Sequence, residues 1–429
     1  MAYAEKVYKV RNGRTTKQFT WRARYKKPDG TWGSEPGFPT KTRAEDWGEE
    51  QEAEIRAGRW IDPDLARGPF GTWAKEWMTK KTARGRTTGF RWYLLETFIL
   101  PKWDHTPLNA MNWLDVDGWQ QTIPAEDDIR RNCVTLMSQI ITGAVDAKRL
   151  IVNPLFGRRR TKPVAPAWTQ RSAEAAKRRA DDEQVPSPEA VLRLADRLGP
   201  GLGMHVLTTA FTGLRWGEGA GLHRDNVLVV REQPDGATVF SCPTIRVVEE
   251  LAEYEQRGPA GERLGTALLI EPPKSEKSTR MIDLPPFVAV LLRHHLDDWP
   301  HPYVFCTSTG KFWRRHHFGK KLRPAADGRP AWRGQGAPPK EGWEPIEPGL
   351  TMRKLRKLHD SLQDQIGVKE SLAHEQAGHK RAGIKGVYQR PTPTMRRERL
   401  DGLQDVFERA MHSLGQRTLW GRVDLRKIS

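Results

Sequence analysis

The apolar residues of this 429-residue chain change their spacing twice, which excludes both a single helical bundle and a single sheet. Near the N-terminus Tyr8 and Val10, then Phe19, Trp21, Ala23 and Tyr25, alternate with polar residues, the two-residue period of a strand. Asp29-Gly30 between two such runs marks a hairpin turn. A helix is expected over 42–58, with Thr42 as N-cap and Glu45 three residues on. Residues 68–156 switch to apolar positions three and four apart, in stretches 70–78, 87–100 and 129–150. In the last, Cys133, Met137, Ile140, Ile141, Ala144 and Val145 form a stripe suited to a core, not to a cofactor. Asn153-Pro154 closes that region. Ser187 is a good N-cap ahead of Pro188, and beyond it short helices (190–198, 204–211) mix with strands (238–248, 267–270, 280–284). Residues 323–349 are rich in Gly and Pro and read as a surface insertion.

The expected fold class is therefore mostly α with small β elements. The expected domains are a small β-sheet plus helix (1–65), a helical domain (68–156), a basic linker (157–185), a mixed α+β domain (186–412) and a tail (413–429).

Charge narrows the partners. Lys and Arg number 71 against 53 Asp and Glu, a net +18. Such an excess points to a polyanion, nucleic acid first, with solubility or an anionic membrane surface as the alternatives. From residue 157 to 180 eight Lys or Arg stand against one Glu. Arg158, Arg159 and Arg160 there can track phosphates or belong to a mere tether. Arg22, Arg24 and Lys26 share one face of an N-terminal strand, which can lie in a major groove or simply be solvated. Cys133, Cys242 and Cys306 lack zinc spacing and read as buried residues of a reducing cytosol. No run of 18 apolar residues and no signal-peptide core occurs, so a cytoplasmic protein without a membrane partner is expected. No metal or cofactor is expected, because the acidic residues lack hard-cation spacing and no phosphate-loop motif occurs.

The chemistry-bearing residues lie in the last half. Thr212-Gly213-Leu214-Arg215-Trp216-Gly217-Glu218 comes first, and Pro273 to Arg280, carrying Lys274 and Lys277, looks like a hairpin tip. Arg353-Lys354-Leu355-Arg356-Lys357 follows, then Gly378-His379, then Tyr388 nine residues after the histidine. Taken singly, each has a plain structural reading: a glycine turn, a solvated arginine, a helix stop, a packed tyrosine. Together they match what cutting a phosphodiester without a metal requires. Two guanidinium forks can hold charge growing on the nonbridging oxygens. A lysine can protonate the leaving oxygen, a histidine can orient the phosphate, and a tyrosine can store bond energy as a covalent ester.

In that order and spacing the residues resemble the tyrosine recombinases, or phage integrases. By motif the likeness covers roughly 187–412; more loosely it extends over the chain as an arm-type DNA-binding domain, a helical core-binding (SAM-like) domain and a catalytic domain. The resemblance implies Arg215 and Arg356 as clamps, Lys274 (or Lys277) as general acid, His379 as phosphate ligand and Tyr388 as nucleophile. It implies an enzyme cutting and rejoining double-stranded DNA attachment sites through a 3′-phosphotyrosyl link. A homotetramer on DNA, a Holliday junction, a directionality factor or host DNA-bending protein, and a nucleoid location in a bacterial host are implied as well.

One position departs from the family pattern. Three residues before the second arginine the family places a histidine; here stands Arg353, a poor base. Arg353 is therefore assigned to the phosphate, with water or His379 taking the tyrosine proton. Glu218 is expected to cap a helix or pair with Arg215. The apolar stripe Leu403, Val406, Phe407, Ala410, Met411 and Leu414 suits packing in its own domain or on a neighbouring protomer. A type IB topoisomerase-like relaxing enzyme and a catalytically decayed DNA-binding protein are the competing readings.

Overall fold

The computed structural model describes residues 2–11, 14–81, 85–161, 184–259, 261–275, 278–332, 341–379 and 390–424. Tyr388, Lys277 and most of the basic linker lie outside them. The fold is mixed, helices with small antiparallel sheets. The chain separates into two compact units, Met1–Val164 with Arg257–Leu264, and Ala165–Gln256 with Gly265–Ser429. Among the described residues no helix is long and apolar enough to cross a membrane.

The first unit opens with an antiparallel sheet in the order β1 (Tyr3–Arg11), β2 (Arg14–Lys26), β3 (Trp32–Phe38). Alternation along β2 buries Ala23 and Tyr25 and leaves Arg22, Arg24 and Lys26 on the other face. Helix α1 (Lys41–Arg56) is capped by Thr40, whose hydroxyl accepts from Arg43 N at 3.3 Å. Thr42, the expected cap, falls inside the first turn, while Thr40 keeps the extended backbone that a cap needs (φ −130°). Helices α2 (Phe70–Lys80), α3 (Gly85–Leu94), α4 (Trp113–Thr122) and α5 (Asp127–Asp146) follow. Past α3 a π-helical turn, Leu95–Ile99, adds a residue to the helix, and the adjacent Leu94 and Leu95 are both buried. Sequence periodicity passes over α4 because its buried positions include Asp117 and Gln120, which bond the backbone of Thr161.

In the second unit Ser187 caps α6 (Pro188–Thr212), its hydroxyl accepting from Ala190 N at 3.1 Å. The two expected helices are one element kinked at Gly199 (φ 72°) before Pro200. The short α7 (Trp216–Ala220) leads to a sheet ordered β4 (Val227–Asp235), β5 (Thr238–Val247), β8 (Arg280–Asp283); among the described residues β6 (Glu250–Arg257) and β7 (Arg263–Glu271) form a separate two-stranded sheet. The expected hairpin around Lys274 is thus a loop joining two sheets. Pro272-Pro273 lack the N–H groups that would extend the β7 ladder. Helices α8 (Pro286–Asp297), α9 (Arg315–Asp327), α10 (Met352–Gln365), α11 (Glu370–Ala377) and α12 (Pro393–Ser413) complete the unit. Residues 323–327, read as insertion, form the last turn of α9, where Ala325 and Ala326 are buried in the core. The stripe on α12 is core of its own unit: Phe407 is fully buried and stacks on Phe287 at 3.8 Å.

Candidate active site

The end of α6 sets the site. Gly213 closes that helix in the left-handed conformation (φ 67°), and a Cβ there would lie 2.6 Å from the His359 ring. Glycine is therefore required by both the backbone and the space. Arg215 follows as the N-cap of α7, with its backbone N–H donating to Glu218 Oε2 at 2.8 Å and its Nη1 to Glu218 Oε1 at 2.7 Å. Glu218 thus caps the helix and pairs with Arg215, and it is buried. Burial raises its carboxyl pKa, but bonds and charge from Arg280, then Arg215, hold it down at about 2.

Arg356 reaches the same place from α10. Thr351 caps that helix, and its buried face carries Leu355, Leu358 and Leu362. Arg356 sits on the flank. Its Nη1 donates to Gly213 O, and its Nη2 to Ala377 O at 3.1 Å. Arg215 Nη2 donates to that same Ala377 oxygen at 3.4 Å, so the two guanidinium groups meet there. Burial, then the neighbouring Arg215 charge, lowers the Arg356 pKa to about 10. It still leaves the side chain protonated at neutral pH by roughly 1,000 to one.

Gly378 ends α11 in the left-handed conformation (φ 68°) and presents His379. Arg356 Nη2 lies 3.3 Å from His379 Nε2; a guanidinium can only donate, so Nε2 accepts and carries no proton. Partial burial, then the Arg356 and Arg215 charges, lowers the His379 pKa, in keeping with a neutral ring.

Arg353, one turn before Arg356, is exposed and lines a cavity of about 890 Å³ with Arg215 and Arg356. Trp216, Phe318, Lys320 and Arg323 also face it. Lys274 is exposed on the β7–β8 loop, which a Ser275–Ser278 hydroxyl contact of 3.0 Å braces. The structure therefore brings Arg215 and Arg356 together on Ala377 O and Arg356 onto His379, puts Arg353 on one cavity with the two arginines and leaves Lys274 on an exposed loop. Tyr388 and Lys277 lie outside the described residues.

Sequence reading missed Arg280 on β8. Only 3% of its side chain is exposed, and Nη1 and Nη2 hold the two Glu218 oxygens at 2.9 Å each. Nothing local in Arg280-Met281-Ile282-Asp283 marks a buried guanidinium, since strand alternation places it equally well in solvent.

No protein-family profile matches the chain. The integrase of Mycobacterium phage FRAT1 is 23% identical over 325 residues, 74% of this chain and 82% of that protein. A putative prophage phiRv2 integrase of Mycobacterium tuberculosis is 23% identical over 293 residues, 66% of this chain and 68% of that protein. In sequence the chain is similar to these phage and prophage integrases. Among solved structures, the Tn1549 transposon integrase in complex with a circular intermediate DNA matches 80% of this chain and 99% of that one, at 14% identity and a TM-score of 0.48.

The other basic positions singled out in the sequence lie in the first unit. Arg22 and Arg24 both pair with Glu5, at 3.0 and 3.1 Å, while Lys26 is exposed. Arg158 and Arg159 are exposed. Arg160 is not available in the same way: its guanidinium spans Asp127 at 2.7 Å and Gln120 at 2.8 Å, leaving 12% of the side chain exposed.

Proposed function

We propose that the chain is a site-specific integrase that cuts and rejoins duplex DNA through a 3′-phosphotyrosyl link on Tyr388. The convergence of Arg215 and Arg356 on one carbonyl oxygen, beside a neutral His379, is the observation that carries this reading. A phosphate at that point would meet two guanidinium groups already paired and oriented, so little reorganisation remains when charge develops. The cations lining the adjoining cavity favour a polyanion over a small neutral ligand.

The reaction then runs as follows. The Tyr388 oxygen attacks phosphorus, the P–O5′ bond breaks, and Arg215, Arg356 and Arg353 hold the charge on the nonbridging oxygens. A water, or His379 once its Nε2 lone pair is released from Arg356, takes the phenol proton. Lys274 delivers a proton to the departing 5′ oxygen; Lys277 is its competitor for that role. A 5′ hydroxyl from the partner duplex attacks the phosphotyrosine, re-forming P–O5′ and releasing the tyrosine. Four protomers on two attachment sites would perform this twice, through a Holliday junction. The domain reading goes with it: an arm-binding sheet bearing Arg22, Arg24 and Lys26, a helical core-binding domain, a basic linker with Arg158 and Arg159, and the catalytic domain.

The test is a nicked suicide duplex whose leaving strand diffuses away. A covalent adduct that maps to Tyr388 and disappears in Tyr388→Phe is expected. Strand cleavage by Tyr388→Phe overturns the reading. Recombination between two sites, rather than relaxation of one supercoiled circle, separates an integrase from a topoisomerase-like enzyme.

A further inference from the structure

We infer that Arg280 is a positioning residue: by sharing the Glu218 carboxylate with Arg215, it leaves a net positive charge at Arg215 for the scissile phosphate. The inference rests on the recombinase reading above and adds a residue which that reading does not use.

Four bonds fix Arg280. Nη1 and Nη2 meet Glu218 Oε1 and Oε2 at 2.9 Å, Nε donates to Gln376 O at 2.7 Å, and Nη1 also donates to Ser278 O at 3.0 Å. These partners lie on three separate parts of the site. Glu218 holds Arg215. Ser278 belongs to the loop that carries Lys274. Gln376 precedes Ala377, on which both arginines converge, and Gly378, where a Cβ would lie 3.1 Å from Arg280 Cδ. Gln376 is itself locked, its Oε1 accepting from Asp283 N at 2.9 Å and its Nε2 donating to Asp283 Oδ2 at 3.1 Å.

The charge count gives the arrangement its function. Glu218 is 1% exposed at its side chain and ionised, so it must be neutralised from within the protein. Two guanidinium groups share it, which leaves one net positive charge. Arg280 is sealed in, whereas 36% of the Arg215 side chain is exposed. The surplus charge therefore faces outward at Arg215. Without Arg280, Arg215 would be the one ion-pair partner of Glu218 left among the described residues, and a phosphate would compete with a buried carboxylate for it. A purely stabilising role would not need this chemistry, because a buried ion pair is often no better for stability than an apolar pair of the same volume.

The experiment follows single-turnover adduct formation on the suicide duplex with the full chain. Two substrates are used: the ordinary phosphate, and a methylphosphonate in which a methyl group replaces one charged oxygen. Arg280→Met is expected to slow cleavage of the phosphate by about 100-fold, the size of losing one fixed donor to developing charge. On the methylphosphonate the loss should shrink to about threefold, since less charge needs a clamp. Adding Glu218→Gln to Arg280→Met should recover about tenfold of the phosphate rate, because a neutral amide no longer captures Arg215. A rate within about threefold of wild type for Arg280→Met overturns the inference, as does an equal loss on both substrates with no recovery in the double variant. If Arg280→Met does not fold, Arg280→Lys, which keeps the charge, decides: a larger loss on phosphate than on methylphosphonate is expected, and equal losses overturn it. Failure of the wild-type chain to form any adduct would instead remove the recombinase reading itself.

Discussion

Replacing Arg356 with lysine keeps a positive charge and removes a planar fork. In the structure that fork reaches three acceptors: Gly213 O at the end of α6, and Ala377 O and His379 Nε2 at the end of α11. An ammonium group cannot span these points in one plane, so at least two contacts are lost, each a charge-assisted bond of about 1.5–3 kcal/mol. Removal of one fixed donor from developing charge costs roughly 100- to 1,000-fold in rate. Because lysine retains the charge, the lower figure is expected, about 100-fold or 2.7 kcal/mol. The assay is single-turnover cleavage of the suicide duplex at saturating protein, read as covalent adduct. Duplex affinity should change by less than about threefold, since one phosphate contact among many is altered. Cleavage by Arg356→Lys within about threefold of the wild-type rate would refute the reasoning, because the fork geometry would then carry nothing that a point charge cannot.

Three further outcomes follow from particular residues. Gly213→Ala combines left-handed strain of about 1–2 kcal/mol with a clash on His359 of about 1–3 kcal/mol, so urea melts should show roughly 2–5 kcal/mol lost, together with reduced cleavage through the displaced Arg356 acceptor. His205 is buried between Trp216 and Phe305 with both ring nitrogens unpaired, and burial, then His295, lowers its pKa to about 3. The unfolded chain binds that proton more readily, so stability should be full above pH ~6.5 and fall on acidification by up to about 1.4 kcal/mol per unit for this one group; His295, His359 and His379 are lowered too, so His205→Met should remove part of the loss measured between pH 6.5 and 5 and leave the rest. On α9, Lys320, Lys321 and Arg323 are exposed, and if all three touch phosphates the triple alanine variant should reduce the slope of log affinity against log salt by about 2.7; an unchanged slope removes α9 from the DNA surface.

Much of the fold was legible because its signals are local. The alternation around Trp21–Tyr25, the Ser187-Pro188 start of α6 and the α5 stripe each depend on residues within a few positions. Misreadings arose where a local rule met a competing one. Thr42 looked like the better cap, but the chain turns helical already after Thr40. Pro272-Pro273 could have warned that β7 and β8 do not pair, since neither proline can donate to a ladder. Helix α4 hides behind buried Asp117 and Gln120, whose partner Thr161 lies about forty residues on.

The order of the motifs, their chemical types and the turns that bear them were determined by the sequence itself: a glycine ahead of Arg215, a glycine ahead of His379, and arginines at a helical start. Only the tertiary structure decided which charges face the substrate and which are consumed inside. Arg280 meets Glu218 across 62 residues, and Arg356 meets Gly213 across 143. An arginine in a strand or a helix is written identically whether it is solvated or sealed. The difference comes from burial and from a carboxylate that arrives from far along the chain, because the electrostatic free energy of a charge depends on what surrounds it in space.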